Sequence, residues 1–332
     1  MTQVSLMIHT ASFDDFLKEQ GINSYFDSLT QNLKNQSHKN FELIYIDTFY
    51  EKNQSNFESI VKKLPFCVKH VPVHKNHRYW YDKGYVYISA AKNTGIIYAD
   101  GELLITCDDG EFFPDHVLDL YWQSFKGGHY LHAVHKRMKN IECQDGLPKF
   151  PIQGEFYIND HRFEHIKYKK RFHNYGTWTY AGTSFSLSDA LKLNGFNERM
   201  DSCKSLEDCD FGNRLSKLGR NFVMDLDGYV YILDHKSYMD EDPEKIKEIK
   251  NLIALENYGI YRWPDELGEI EANKFPITDT HLEIVKRETI KYRQFDPLLE
   301  DNKIKLDLWL NTPTFDLKEE RKEIRNSTEW RW

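Results

Sequence analysis

The sequence lacks the features that mark disulfide-bonded, membrane-spanning and nucleic-acid-binding proteins. None of its apolar runs approaches the length of about 18 residues that a transmembrane helix needs. Its formal net charge of −8 argues against a nucleic-acid partner. Its five cysteines follow no paired spacing, which favours reduced thiols and a cytoplasmic location over a disulfide framework or a zinc site.

The two ends of the chain lack the patterns of targeting segments. Residues 1–9 show no basic region followed by an apolar core, so they do not predict a signal peptide. The last three residues, Trp330-Arg331-Trp332, combine aromatic and basic side chains. They predict either a free terminus or a peripheral contact with a membrane surface.

Residues 103–114 begin with an apolar run, which is followed by three acids. Leu103 to Cys107 have the length and composition of a buried strand, and Asp108, Asp109 and Glu111 follow at its carboxyl end. Ligands bind at that edge of open α/β sheets. Paired carboxylates there suit Mg²⁺ or Mn²⁺, and through the cation a diphosphate, because hard cations prefer oxygen ligands. The alternative is a polar turn between a strand and a helix.

The first 125 residues alternate between strand and helix patterns. Strands are predicted at 4–8, 41–47, 67–73 and 103–107, with helices around Phe26 to Leu33, at 51–64, at 89–99 and from Pro114 onward. Such alternation indicates a parallel sheet with helices on both faces. We therefore predict that residues 1–125 are the nucleotide-binding half of an α/β domain.

The pattern changes after residue 125. Residues 126–180 show no clear period and predict irregular strands and loops, where substrate choice often lies. Two helices, the first capped by Ser188, and two strands, at 222–225 and 229–233, are predicted next. We assign residues 126–240 to an acceptor-binding and catalytic half of the same domain.

Residues 241–332 predict a C-terminal extension that is partly helical and partly irregular. Lys245 to Glu256 are charged and helix-prone, and several prolines follow. An oligomer interface, a lid and an acceptor platform all remain open as roles for it.

Two acids, Glu207 and Asp208, begin the second predicted helix of the catalytic half. Ser205 with Asp208 three residues later matches a capping box, which explains the acids by helix stability alone. The alternative is chemical: a carboxylate held ionised at a helix start can accept a proton from an attacking hydroxyl. His235 follows the last predicted strand, and an imidazole with carboxylates suits Mn²⁺, although lone histidines are more often structural.

The order of these segments resembles an inverting glycosyltransferase of the GT-A fold, family 2 in the broad sense, over about residues 3–238. Six motifs carry the resemblance: a first strand ending in His9-Thr10, Ser28-Leu29 through to Asp47, Ala91-Lys92-Asn93-Thr94-Gly95, Ala99-Asp100-Gly101-Glu102, Asn194-Gly195-Phe196-Asn197-Glu198, and Leu206-Glu207-Asp208-Cys209-Asp210-Phe211. The chain departs from the usual pattern at His9, where proline is common, at Lys92, where arginine is usual, and at Gly110, which takes the last position of Asp-x-Asp. The resemblance implies a Rossmann-like mixed sheet flanked by helices.

The resemblance also implies roles on the donor side of the site. The donor-binding residues would be Thr10, Asp47, Lys92, Asn93 and Asp108. The carboxylate of Asp47 would accept a hydrogen bond from uracil N3–H, which favours UDP as the carrier, and Lys92 would lie near the base or the diphosphate.

The metal and the reacting hydroxyl would involve a second group of residues. Asp108, Asp109 and His235 would hold Mn²⁺ or Mg²⁺, with Glu111 as an alternative source of the missing third acid. Asp208 would be the catalytic base, and Glu207 would position a sugar.

The resemblance thus implies a metal-dependent enzyme of polysaccharide or glycoconjugate biosynthesis. It would move a sugar from a UDP-sugar to a hydroxyl of a glycan or glycoconjugate with inversion. Trp80, Tyr81, Trp178 and Tyr180 are candidate sugar platforms or ordinary core aromatics. One alternative is a sugar nucleotidyltransferase, although its glycine-rich phosphate loop has no counterpart in residues 4–15. The other is a non-catalytic carbohydrate-binding protein on the same scaffold.

Overall fold

Four parallel strands form the first half of a central sheet. They are β1 (Val4–Thr10), β2 (Phe41–Asp47), β3 (Cys67–Val71) and β4 (Leu103–Cys107). The computed structural model describes residues 2–10, 22–83, 87–139, 141–158, 170–173, 181–202, 206–233, 257, 259–293 and 309–327. In it the four strands lie in the order β3–β2–β1–β4.

Helices cover both faces of this half, as its near-continuous apolar strands require. They are α1 (Tyr25–Lys34), α2 (Tyr50–Val61) and α3 (Ile88–Tyr98). Because side chains alternate along a strand, Leu6 and Ile8 pack with α1 on one face and Met7 packs with α3 on the other. The strands and helices predicted for residues 1–125 are confirmed, within a few residues at each end.

The second half of the sheet is mixed. Its elements are β5 (Glu111–Phe112), α4 (Val117–Lys126), β6 (His129–Lys139), a hairpin of β7 (Cys143–Gln144) and β8 (Leu147–Pro148), β9 (Glu155–Ile158), β10 (Lys170–His173), β11 (Thr183–Ser186), α5 (Leu187–Lys192), α6 (Glu207–Lys217) and β12 (Asn221–Leu233).

The short strand β11 joins the two halves. It runs antiparallel to β4 on one side and to β6 on the other, so β6 and β12 point in the same direction as β1 and β4. The order across the main path is β10–β12–β6–β11–β4–β1–β2–β3, with β5 on β12 and β9 on β6. The predicted mixed α/β sheet flanked by helices is therefore confirmed.

Several local predictions for the second half were wrong. Residues 126–180 contain the regular 11-residue strand β6, in which five consecutive residues, 130–134, are buried, so it has no alternating pattern. The two strands predicted at 222–225 and 229–233 are one strand with an irregularity between Met224 and Tyr229.

The helix starts also differ from prediction. α5 is capped by Ser186, whose side chain accepts from the Asp189 amide, rather than by Ser188. α4 begins at Val117, so Pro114 precedes the helix; its carbonyl accepts from the Val117 amide. α6 has Leu206 as its N-cap with no side-chain cap bond, and Ser205, the first residue of the predicted capping box, lies outside the described residues.

The C-terminal extension contributes α7 (259–266), α8 (Asp279–Arg293) and α9 (Leu317–Asn326). Residues around Pro264 are thus helical rather than irregular, while the helix predicted at 245–256 lies outside the described residues. None of the helices described is long and apolar enough to cross a bilayer. The division at residues 125 and 240 stays a prediction.

Candidate active site

The candidate site lies where the parallel strands end. The register pairs Thr10 with Asp47 and Ile8 with Cys107, so Asp108 follows directly at the same edge. β12 ends there too, because the Leu233 amide donates to the carbonyl of Gly110 at 3.1 Å. β1 and β12, the first and last of the described strands along the chain, therefore both end near the turn that contains Asp108 and Asp109.

The two acids of this turn have different surroundings. The Asp108 side chain is 54% exposed, and its Oδ1 lies 3.7 Å from Nε2 of His9. Asp109 Oδ2 accepts from the Thr10 hydroxyl at 3.5 Å, a long contact. Asp108 thus presents a carboxylate to the solvent, which a cation could use, while Asp109 is tied to β1.

Glu111 occupies an enclosed position behind the turn. Its side chain is fully buried, and its backbone exchanges hydrogen bonds with the Tyr25 hydroxyl at 2.9 and 3.1 Å. Burial, with Asp108 nearby, raises the pKa of the Glu111 carboxyl well above its usual range. To act as the third acidic metal ligand, the Glu111 side chain would have to ionise and move out of its buried position.

Lys92 reaches the site from the first turns of α3. The residue is 3% exposed, and its Nζ lies 3.5 Å from Glu207 Oε1 and over the ring of Phe196 at 5.1 Å. Burial would lower the pKa of Lys92, but Glu207, Asp108 and Asp208 raise it above its ordinary value. The ammonium therefore lies near both the acid that follows β4 and those that begin α6.

The two acids of α6 are partly buried at the helix start. Burial, with Glu207 next to it, raises the pKa of Asp208 to about 7, while Lys92 and the Cys209 amide oppose the rise. That amide donates to Asp208 Oδ1 at 2.6 Å. A carboxylate with a pKa near neutrality is matched to general-base work at neutral pH.

The backbone before these acids is strained. Leu206 has φ of 73°, in the left-handed region that suits glycine. Such a conformation costs on the order of 1 kcal/mol or more in a residue with a β-carbon. The strained residue therefore lies immediately before the two acids of α6.

Asp47 points inward at the end of β2. Its carboxylate accepts from the Phe49 amide at 2.7 Å, from Asn53 Nδ2 at 2.9 Å and lies 2.8 Å from His70 Nε2. Burial would raise the pKa of Asp47, but these hydrogen bonds, from His70 first, lower it below its ordinary value. A contact with a base would need part of this network to be exchanged, and the contact stays a prediction.

A cavity of about 340 Å³ adjoins Thr10 and Asp47. Among the described residues that line it are Ser24, Phe49 and Asn53, from the starts of α1 and α2. The cavity lies beside the two residues expected to meet the nucleobase.

Asn93 is used for contacts within the protein. It is fully buried; its Oδ1 accepts from the Phe196 amide at 2.7 Å, and its Nδ2 donates to the Phe196 carbonyl at 3.0 Å and to Glu198 Oε1 at 2.8 Å. Its assignment to donor binding stays a prediction, and its observed contacts link α3 to the segment before α6.

His9 was not among the predicted site residues. Burial lowers the pKa of its imidazole, and Lys92 lowers it further, while Asp108, Asp109 and Glu207 raise it. His9 therefore lies beside Asp108, close enough to the other acids and to Lys92 for their charges to shift its pKa. The sequence signal that could have found it is the departure from the common proline at this position.

Some predicted residues do not reach the site or lie outside the described part of the chain. Trp80 is 1% exposed within a buried cluster that includes Trp263 and Trp309, so it cannot serve as a sugar platform. Tyr81 is partly exposed and packs against Tyr87. His235, Trp178 and Tyr180 lie outside the described residues.

The turn that contains Asp108 and Asp109 offers ligand atoms of the kind that a hard divalent cation prefers. Asp108 and Asp109 supply carboxylate oxygens at a strand end. Within the described ranges no group of three histidine, cysteine or acidic residues is arranged to hold a metal ion. Two carboxylates with phosphate oxygens and water would already make a ligand set of the kind that Mg²⁺ takes, and His235, the predicted third ligand, lies outside the described residues.

Comparison with known proteins gave structural matches only. No protein-family profile and no curated protein matches the sequence. A crystal structure of S. aureus TarS 1–349 in complex with UDP is 14% identical, with a TM-score of 0.48, covering 94% of this chain and 79% of that one. The UDP-GlcNAc complex of TarS 1–349 gives 14% identity and a TM-score of 0.47 over the same shares.

A further TarS crystal structure is 13% identical, with a TM-score of 0.47, covering 94% of this chain and 48% of that one. Identities and TM-scores this low do not establish a shared function. The fold assignment rests on the sheet topology, and the site rests on its own geometry.

Proposed function

We propose that the chain is a UDP-sugar-dependent inverting glycosyltransferase that moves a sugar to a hydroxyl of a glycan or glycoconjugate. The observation that carries the proposal is the position of Lys92, whose ammonium lies 3.5 Å from Glu207 on α6 and whose pKa is raised by Glu207, by Asp108 just after β4 and by Asp208. Acids from distant parts of the sequence thus share one cleft at the ligand-binding edge of the sheet. The six ordered motifs of the sequence support the same conclusion.

In this proposal each residue has a defined task. Asp208 accepts the proton of the acceptor hydroxyl as its oxygen attacks the anomeric carbon and the UDP oxygen leaves. A single displacement inverts the anomeric configuration. The buried ammonium of Lys92 faces the negative charge of the leaving diphosphate, and Glu207 keeps Lys92 in place while raising the pKa of the base.

A divalent cation would be held by Asp108 and Asp109, with His235 as the proposed third ligand. When bound, Mn²⁺ or Mg²⁺ supplies charge neutralisation of the diphosphate. The proposal for His235 is supported by the Leu233 amide, two residues earlier, which bonds to the carbonyl of Gly110 beside the two acids.

The test is transfer by the Asp208→Asn variant. Asparagine keeps the shape of aspartate and cannot accept the proton, so transfer should fall by at least about 10²-fold while calorimetry still detects UDP binding. Asp119→Asn, a half-exposed acid on α4, is the control and should transfer at the native rate. Near-native transfer by Asp208→Asn contradicts the assignment of the base.

The same assay separates the alternatives by product. A glycosyltransferase releases UDP from the UDP-sugar. Formation of pyrophosphate from UTP and a sugar 1-phosphate would identify a nucleotidyltransferase instead. A UDP-sugar left intact with every acceptor and cation tried would favour a carbohydrate-binding protein.

A further inference from the structure

The helix that carries Lys92 is held at its N-terminus by a residue from far along the chain. The amides of Ser89 and Ala90 donate to the two carboxyl oxygens of Asp201 at 2.7 and 2.9 Å. α3 has no side-chain cap of its own, because its N-cap residue Tyr87 makes none. Asp201 is 1% exposed, so it takes over the capping of α3 inside the protein.

The C-terminus of the same helix is held by α9. Arg321 is buried, and its guanidinium donates to the carbonyls of Ile96 and Ile97 at 3.2 and 2.6 Å. Arg325, one turn later, pairs with Asp100 just beyond the helix. A cation at the carbonyl end of a helix satisfies its last acceptors and complements its dipole.

A third contact joins the two supports. Glu198, three residues before Asp201, lies 2.6 Å from His77 Nδ1, and His77 Nε2 lies 3.0 Å from Glu320 on α9, an ion pair rather than a hydrogen bond. Glu198 also accepts from Asn93 in the middle of α3. The segment before α6 and the helix α9 therefore form one connected clamp around α3.

We propose that Asp201 and Arg321 are positioning residues that hold Lys92 in the site by fixing both ends of α3. Lys92 lies one turn inside the end that Asp201 caps, and α9 thereby becomes a support of the donor site. The inference rests on the proposed function, because it assigns Lys92 to the donor diphosphate.

The experiment combines single and double variants in the full chain. Lys92→Met, Asp201→Asn and Arg321→Gln should each raise the KM for the UDP-sugar on the order of tenfold, as misplacement of a binding group does. Arg321→Gln together with Lys92→Met should be no worse than Lys92→Met alone, since coupled residues are non-additive. Arg321→Lys, which keeps a donor for the carbonyls, should recover much of the loss.

Lys322→Gln is the matched control, because Lys322 is exposed on the same helix and pairs only with Glu319 among the described residues. It should leave the KM unchanged. Additive effects in the double variant, or an unchanged KM in both Asp201→Asn and Arg321→Gln, overturn the proposal.

Hydrogen exchange provides a readout that does not depend on turnover. Amides of residues 88–98 should lose protection in Asp201→Asn and Arg321→Gln and keep it in Lys322→Gln. Unchanged protection in both variants overturns the clamp even if transfer is normal. If the native protein transfers no sugar but the protection pattern is as expected, the proposed function fails and the clamp of α3 stands without its role in donor binding.

Discussion

Asp208 combines a pKa near neutrality with two charged neighbours of opposite sign. Glu207 raises the pKa of Asp208 and Lys92 lowers it. The rate of transfer should therefore depend on pH through one carboxylate whose pKa each neighbour moves in a known direction.

The pH dependence of kcat/KM tests this arrangement. In the native protein the rate should rise with pH through a limb near 7, as Asp208 becomes able to accept a proton. Glu207→Gln should move the limb to lower pH, and Lys92→Met should move it to higher pH. A limb that stays in place in both variants would show that another group controls the rate.

The same pKa has a consequence for stability. The pKa of Asp208 in the folded protein is above that of an unfolded aspartate. The contribution of protonated Asp208 to the free energy of unfolding is therefore intact below the unfolded pKa and is lost as the pH rises through about 7. Asp208→Asn removes the cost of ionisation and should stabilise the protein at pH 8, on the order of a few kcal/mol.

Urea unfolding of both proteins at several pH values measures this effect. The advantage of Asp208→Asn should shrink toward pH 4. An advantage that does not change with pH would have a different origin from the carboxylate.

The predicted site residues that the structure brings near Lys92 are those whose chemistry shows in local order. Asp108 follows an apolar strand, and Glu207 and Asp208 open a helix, so the sequence shows both positions. Asp201 and Arg321 could not be found this way. Their partners are backbone groups of α3, more than a hundred residues away in the chain, and no pattern marks a backbone partner.

At the scale of elements, the buried cluster of His77, Glu198 and Glu320 fixes α9 against the rest of the protein. Burial would lower the pKa of His77, but Glu198 and Glu320 raise it to about 10. The stabilisation of the folded protein by protonated His77 is therefore complete below about pH 6.5 and is lost as the pH rises through about 10.

His77→Gln should destabilise the protein by a few kcal/mol at pH 7, since it leaves buried carboxylates without their cation. The difference from the native protein should narrow toward pH 10, where the native imidazole also loses its proton. Denaturant unfolding at both pH values measures it, with His116→Gln, an exposed histidine on the approach to α4, as the control. Equal destabilisation at pH 7 and pH 10 would contradict the charged state of His77.

The elements that the sequence predicted best are those with a strong period or a uniform apolar run, such as β1, β2 and α1. β6 was not predicted as a regular strand because residues 130–134 are buried in succession, which gives no alternation, and the buried His132 interrupts the apolar run. The cap of α5 moved to Ser186 because two serines in this stretch could accept from the first turn, and β11, which ends at Ser186, fixes which one does.

For the whole molecule, the proposed function predicts linkage between nucleotide, cation and stability. UDP and Mn²⁺ together should raise the melting temperature more than either alone, because a ligand at about 100 times its Kd stabilises the native state by about 2.7 kcal/mol. Asp109→Ala should remove the part of the shift that depends on Mn²⁺, while Asp119→Ala should not. If UDP raised the melting temperature equally in EDTA and in Mn²⁺, that result would contradict a cation bound by Asp108 and Asp109.

The position of β11, between two strands that precede it in the chain, has a consequence for how the protein folds during synthesis. This four-residue strand fills the gap between β4 and β6, yet it is synthesised after both. As the polypeptide leaves the ribosome, β1 to β4 can assemble early, whereas β6 has no neighbour on that side until residue 186 emerges. The edge of β4 therefore stays unpaired from residue 107 to residue 186, about eighty residues of translation, and an unpaired strand edge in a nascent chain is a site where chaperones protect against aggregation.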